Sequence, residues 1–214
     1  MNRGLFITLE GGDGAGKSTQ MDNIEKYFAK LGYKCIRTRE PGGTNIGEKL
    51  REILLDAGNS EMNPVTEMMI YAASRAQHVR ELIKPALERG DVVLCDRFLD
   101  SSIAYQAGGR NLGSMVSDVN SYAVDGVMPD ITFWMDINPE LGRERIGFRD
   151  KPELDRLEQE KLDFHYKVYD TYKKISETES NRVKRIDATR TIEEMRDEIY
   201  GYLDEFCTRL HSRG

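Results

Sequence analysis

Gly11-Gly12-Asp13-Gly14-Ala15-Gly16-Lys17-Ser18 sets glycines, a lysine and a hydroxyl in the order G-x-x-x-x-G-K-[ST]. These residue types suit a polyphosphate. Glycines let backbone N–H groups wrap phosphate oxygens without Cβ clashes. Lys17 can reach the β- and γ-phosphates, and the Ser18 hydroxyl can ligate Mg²⁺. The helix predicted over 18–31 points its positive N-terminal end at the same anion.

Asp96-Arg97 carries a second chemistry where an apolar strand ends. A carboxylate there can organise Mg²⁺ through water, while the adjoining guanidinium faces a second phosphate. An Asp-Arg pair is also common on surfaces. Its place at the C-terminal edge of a buried parallel strand, where ligands bind in such sheets, favours function. Arg39, Arg51 and Arg97 are the candidate cations for a phosphate other than the donor's, because arginine's planar fork meets phosphate oxygens bidentately. No Asn-Lys-x-Asp segment offers guanine recognition, which weakens a GTPase reading.

The elements that must position these groups follow from hydrophobic spacing. Leu5–Leu9 is a short β-prone run ending in the glycine cluster. Met21, Ile24, Phe28 and Leu31 recur at helical spacing, with Gly32 as a cap. Lys34–Thr38 reads as a second strand, and Leu50, Ile53 and Leu54 mark another helix. A longer helix carries Val65, Met68, Ala72, Ala76 and Val79, with Pro85 breaking or kinking it. Val92–Cys95 and Ile131–Met135 are strands, Val183–Ile186 is a weaker one, and Ile192, Met195, Ile199, Leu203 and Phe206 stripe a last helix. Strands alternating with helices imply right-handed βαβ units, a parallel sheet and helices on both faces.

The 214 residues suit one compact domain, and 39% hydrophobic content is enough for a core. A net charge of −6 argues against a protein that grips nucleic acid polymers. Cys35, Cys95 and Cys207 are widely spaced and read as inert thiols in a reducing compartment. No signal-peptide core and no apolar run of about 20 residues is present, so no membrane association and a cytoplasmic location are expected.

Several ordered motifs together resemble thymidylate kinases, over nearly the whole chain. Phe6 through Thr19 resembles that family's P-loop. Thr38-Arg39-Glu40-Pro41-Gly42-Gly43-Thr44 resembles its Arg-Glu-Pro loop. Asp96-Arg97-Phe98 with Ser101, Ser102 and Ala104-Tyr105-Gln106 resembles its Asp-Arg-aromatic signature, and Leu154–Glu160 resembles the segment after its lid. The resemblance implies a P-loop NTPase fold, three layers α/β/α around a parallel sheet of about five strands, with a helical lid insertion near 143–155. It implies transfer of phosphate from ATP, with Mg²⁺, to thymidine 5′-monophosphate (dTMP), in a homodimer.

Residue by residue, the resemblance puts ATP on Gly11 through Thr19, with Lys17 among the catalytic groups and Mg²⁺ at Ser18 and Asp96. Arg51 and Arg97 surround the acceptor phosphate, with Arg39 as a further cation, and Glu40-Pro41 forms a tight loop beside it. Tyr71 stacks on the base and Arg75 donates to a carbonyl such as thymine O4. The family more often has Phe where Tyr71 stands. Ser101, Ser102 and Gln106 lie at the acceptor, where Ser102 and Gln106 can read the base edge, and Tyr105 can crowd the sugar's 2′ position. This P-loop has no arginine, so the lid must supply the cations from Arg143, Arg145, Arg149 and Lys151, with Arg149 reaching furthest. Asp13 helps hold the acceptor's 3′-hydroxyl, and Arg190 stacks on adenine. Another nucleoside monophosphate kinase, or a P-loop switch that hydrolyses ATP slowly, are the competing readings.

Overall fold

The structure, a computed structural model, describes residues 3–147 and 154–211, the side chains of 209–211 excepted. Five strands form one parallel sheet: β1 (Phe6–Glu10), β2 (Cys35–Arg39), β3 (Val92–Asp96), β4 (Ile131–Asp136) and β5 (Val183–Asp187), in the order β2-β3-β1-β4-β5. The register sets Leu9 beside Asp96 and Phe133, which brings the ends of the three central strands level. The expected strands are all present, each within one or two residues of its predicted bounds.

Every residue of β1 and β4 is buried, as their near-continuous apolar runs demand of strands covered on both faces. Within the sheet Thr8 stands beside Thr132, and their hydroxyls meet at 2.7 Å. On one face, Ile7, Leu9 and Phe133 pack with Met21, Ile24 and Phe28 of α1 (Lys17–Lys30) and with Ile199 and Leu203 of α9 (Ile192–His211). On the other, Phe6, Val93 and Cys95 pack with Val79, Ile83 and Phe98. Each fully buried side chain of this size contributes about 1.5–3 kcal/mol. The result is the three-layer P-loop architecture.

The remaining helices are α2 (Asn45–Leu55), α3 (Pro64–His78), α4 (Lys84–Glu88), α5 (Leu99–Ser102), α6 (Met115–Val124), α7 (Pro139–Gly147) and α8 (Leu162–Thr178). Pro85 does not end its helix. A wide π turn, Val79–Ile83, joins α3 to α4 just before it and accommodates the missing N–H. A second π turn, Ile103–Gly109, continues α5. Helix α8 went unread in the sequence. Its buried stripe of Phe164, Val168, Tyr172 and Ile175 joins Tyr105 and Trp134 in a third apolar cluster.

Candidate active site

The end of β1 feeds the glycine loop. Gly11 has φ 128°, and a Cβ there would lie 2.5 Å from the Met135 carbonyl oxygen of β4. A Cβ on Gly14 would lie 2.3 Å from the Gly142 carbonyl oxygen of α7. The loop is therefore glycine-built because strand and helix backbones press on it, and not only because it must turn. Lys17 is buried and donates to the Gly11 and Gly12 carbonyl oxygens at 3.1 and 3.0 Å. Burial lowers its pKa and Arg97 adds to the effect, while Asp96, Asp13 and Glu10 oppose it.

Ser18 and Thr19 stand exposed on the first turn of α1. Asp96 ends β3 with its Oδ1 buried and without a hydrogen-bond partner. A buried carboxylate oxygen in that condition suits a cation or its water. With the Ser18 hydroxyl it fits Mg²⁺, an ion that keeps several waters and binds through one or two protein groups plus phosphates.

Arg97 follows at φ 69°, a left-handed backbone that a non-glycine residue adopts only under constraint. The constraint is visible. Its amide donates to the Leu9 carbonyl at 2.9 Å, and the next amide, Phe98, donates to Glu10 Oε1 at 2.7 Å. The guanidinium so placed meets Asp13 at 2.7 Å, reaches Ser101 at 3.4 Å, and sits 5.2 Å over the Tyr105 ring. Burial works against its charge, but Tyr105, Asp13, Tyr172 and Asp96 together raise its pKa well above the usual arginine value.

Beside it lies a small cleft of about 90 Å³ walled by Glu40, Pro41, Arg51, Tyr71, Arg75 and Arg97, and by Ser101, Ser102, Tyr105 and Gln106. Asp13 lines it too, so one carboxylate belongs both to the glycine loop and to the cleft. The Glu40–Pro41 peptide is cis, and Arg51 donates to the Pro41 carbonyl at 3.0 Å. Burial lowers the Arg51 pKa, and neighbouring Arg39 adds to this.

Two expected contributors stand differently. Arg39 does not line the cleft: it grips Glu48 at 3.0 and 2.8 Å, and Glu48 also accepts the Gly43 amide at 2.7 Å. Arg75 does line it, but its donors are engaged within the fold. Nε and Nη2 face Glu40 at 2.8 Å, Nη1 serves Ser102 Oγ at 2.9 Å and Asn120 Oδ1, and Nη2 also serves the Phe98 carbonyl at 2.9 Å. Arg75 is a buried hub of the cleft wall.

In the insertion, Arg143 donates to the Glu158 and Glu160 carbonyls, and Arg145 to the Ala188 carbonyl at 2.8 Å. Arg190 is half-exposed and paired with Glu198 and Asp187. Arg149 and Lys151 lie outside the described residues. A larger cavity of about 730 Å³ opens between the glycine loop, α7 and α8, lined in part by Asp13, Trp134, Arg143, His165 and Tyr169.

Residues 9–199 match the family model described as thymidylate kinase. The chain is 46% identical to a thymidylate kinase of Clostridium novyi (strain NT) over 204 residues, 95% of this chain and all of the relative. It is 51% identical over 200 residues to a thymidylate kinase of Halothermothrix orenii, covering 92% of this chain and 95% of that one. A relative from Lactobacillus delbrueckii subsp. bulgaricus shares 48% over 192 residues, covering 89% and 91%. The chain belongs to the thymidylate kinase family.

Within that thymidylate kinase frame, sequence reasoning passed over several buried polar residues that shape the cleft. Glu10 is fully buried and accepts Phe98 N–H, the Ser101 hydroxyl at 2.6 Å and the Tyr172 hydroxyl at 2.9 Å. His78 bridges Glu40 and Thr38 at 2.9 and 2.7 Å. Glu67, in the first turn of α3, and Asn120, within α6, are both buried. For Glu10 alone a signal exists, namely a carboxylate between a buried strand and a phosphate loop. Among the described residues, no helix is long and apolar enough to cross a membrane.

Proposed function

We propose that this chain transfers the γ-phosphoryl group of ATP to dTMP, releasing ADP and dTDP. The observation that carries the reading is the junction of two sites. The glycine loop holds one polyphosphate, the cleft behind Arg97 and Arg51 takes a second anion, and Asp13 with Arg97 joins them at 2.7 Å.

Backbone amides of Gly11 through Thr19 and the Lys17 ammonium receive the β- and γ-phosphates of ATP. Arg97 and Arg51 hold the acceptor phosphate so that one of its oxygens attacks the γ-phosphorus in line, while the bond to the bridging oxygen of ADP breaks. Asp13 competes for Arg97 before the acceptor arrives and then accepts from the sugar's 3′-hydroxyl. Tyr71 packs on the pyrimidine, and the Tyr105 ring crowds the 2′ position. Mg²⁺, when bound, neutralises charge shared by the β- and γ-oxygens, and Ser18 and Asp96 are the groups that would hold it. Arg143, Arg145 and Arg149 bring further positive charge to the group in transfer, the insertion that carries them covers ATP and keeps water away, and Arg190 stacks on adenine.

The chain acts in the cytoplasm, where its nucleotides are, as a homodimer. The exposed apolar residues Val65 and Met69 of α3 and Met115 and Tyr122 of α6 support that assembly; Tyr122 is 81% exposed. The test is steady-state ADP release with ATP and Mg²⁺, comparing dTMP, dUMP, UMP, CMP, AMP and no acceptor. A large rate with dTMP and a weaker one with dUMP supports the reading. Equal slow rates with and without every acceptor would leave an ATPase or a switch.

A further inference from the structure

Gln106 is 1% exposed and lines the acceptor cleft, yet only one end of its amide is engaged. Its Nε2 donates to Glu67 Oε1 at 2.9 Å. Glu67 is wholly buried in α3, and it is held there by three cationic or polar partners: Arg110 Nη2 at 2.9 Å, Arg156 Nη2 at 2.7 Å, and Gln106 itself. Burial alone would raise its pKa, but the hydrogen bonds from Arg110 and Gln106 and the charges of Arg110 and Arg156 outweigh this and lower it. An ionised carboxylate has no hydrogen to give, so it can only receive the NH₂ end of Gln106. The carbonyl oxygen of Gln106, for which the described residues offer no donor, is thereby left to the cleft.

The same logic applies next to it. Ser102 Oγ accepts from Arg75, a group that never deprotonates, so the serine's own hydrogen remains to be donated. Ser102 and Gln106 both line the cleft. It therefore offers a donor and an acceptor whose polarity is fixed by two buried charges that need not touch the ligand.

We infer that Glu67 is a positioning residue for base selection: it locks Gln106 with its carbonyl toward the acceptor base, so that the site takes a 4-oxo pyrimidine with an N3–H and rejects a 4-amino pyrimidine. Thymine and uracil present O4 as an acceptor and N3–H as a donor, complementary to Ser102 and Gln106. Cytosine presents the reverse at both atoms. The inference rests on the acceptor being a pyrimidine nucleotide, as proposed above. Glu67 also ties this choice to the segment after the insertion. Arg156 donates to the Leu54 carbonyl at 2.9 Å, and Arg110 bonds Glu160 at 2.5 Å.

The experiment compares Glu67→Gln with the unmodified protein, measuring kcat/KM for dTMP and for dCMP. A neutral amide at 67 accepts either end of Gln106, so the amide can turn over and offer NH₂ to cytosine N3. The dTMP:dCMP ratio should fall by about 10- to 100-fold. In a Gln106→Ala background the same Glu67 change should leave the ratio unaltered. Equal losses for both acceptors, with the ratio within about twofold, would overturn the inference while leaving the kinase reading intact. Absence of any dTMP-dependent ADP release in the unmodified protein would instead remove the reading beneath it. Should Glu67→Gln fail to fold, the side-chain amide of Gln106 in ¹⁵N-labelled unmodified protein decides. Its NH₂ should stay protected and hardly shift when dTMP binds, whereas a large shift would mean that the NH₂ end faces the base.

Discussion

Arg97 Nη2 lies 2.7 Å from Asp13 Oδ1, an ion pair whose members come from the end of β3 and from the glycine loop. Asp13 is 39% exposed at its side chain and Arg97 only 16%. The arginine is thus the fixed partner, seated by a left-handed backbone, and the aspartate is the one that can yield to an incoming anion.

Arg97→Ala should lower kcat with dTMP by about 10²–10³-fold, because a donor aimed at developing charge is lost. Asp13→Asn keeps the loop's shape and removes the competing charge. It should cost about tenfold in kcat/KM for dTMP while leaving the KM for ATP within a few-fold. Steady-state kinetics with each substrate varied in turn checks both, and an unchanged kcat in Arg97→Ala would remove that residue from the reaction.

The two arginines before and on α2 should behave differently. Arg51→Ala is expected to raise the KM for dTMP about tenfold or more, since its guanidinium walls the cleft. Arg39→Ala breaks a half-exposed pair with Glu48, costing up to about 1 kcal/mol of stability with a smaller effect on KM. Thermal melts beside the kinetics separate the cases; equal KM effects would mean that Arg39 also reaches the acceptor.

Glu10 predicts a pH signature. Burial raises its pKa from 4.5 to about 7, with Asp100 adding to the shift and Ser101 and Arg97 opposing it. A carboxyl whose folded pKa is raised binds its proton more tightly in the native state. The stability gained is complete below about pH 4.5 and is lost as pH rises through about 7. Glu10→Gln cannot titrate, so its melting temperature relative to the unmodified protein should improve between pH 5 and pH 8. A pH-independent difference would mean that Glu10 titrates normally.

Arg182 grips Asp100 at 2.7 and 2.9 Å, with Asp100 only 2% exposed. Arg182→Leu leaves that carboxylate buried and unpaired, at a cost of about 3–5 kcal/mol in denaturant unfolding. The Arg182→Leu, Asp100→Asn pair should recover part of it. A loss below about 1 kcal/mol for the single change would show that water reaches Asp100.

The strands and the phosphate loop were legible because each is a local pattern: a short apolar run, then glycines, lysine and serine at fixed spacing. Helix α8 hid because its apolar residues, Phe164, Val168, Tyr172 and Ile175, are spread among lysines, aspartates and glutamates, and a tyrosine counts weakly as apolar. Arg75 was placed at the cleft, but its spacing from Tyr71 carried no sign that Glu40, Ser102, Asn120 and Phe98 would occupy its donors. Those partners come from three other segments, and only the fold brings them together. For the same reason Arg39 looked equivalent to Arg51: nothing local distinguishes a guanidinium bound for Glu48 from one bound for the cleft wall.

The π turn Ile103–Gly109 spends seven residues where tighter coiling would use fewer, and Tyr105 and Gln106 issue from it. Each residue of an ordinary helix advances the chain by about 100° of rotation. Removing a single residue between Ser102 and Gly109 would let the coil tighten and swing everything beyond it round the axis, Gln106 off the cleft and Gly109 off the Phe164 ring. The length of this segment, and not only its side chains, therefore sets where Gln106 and Gly109 lie.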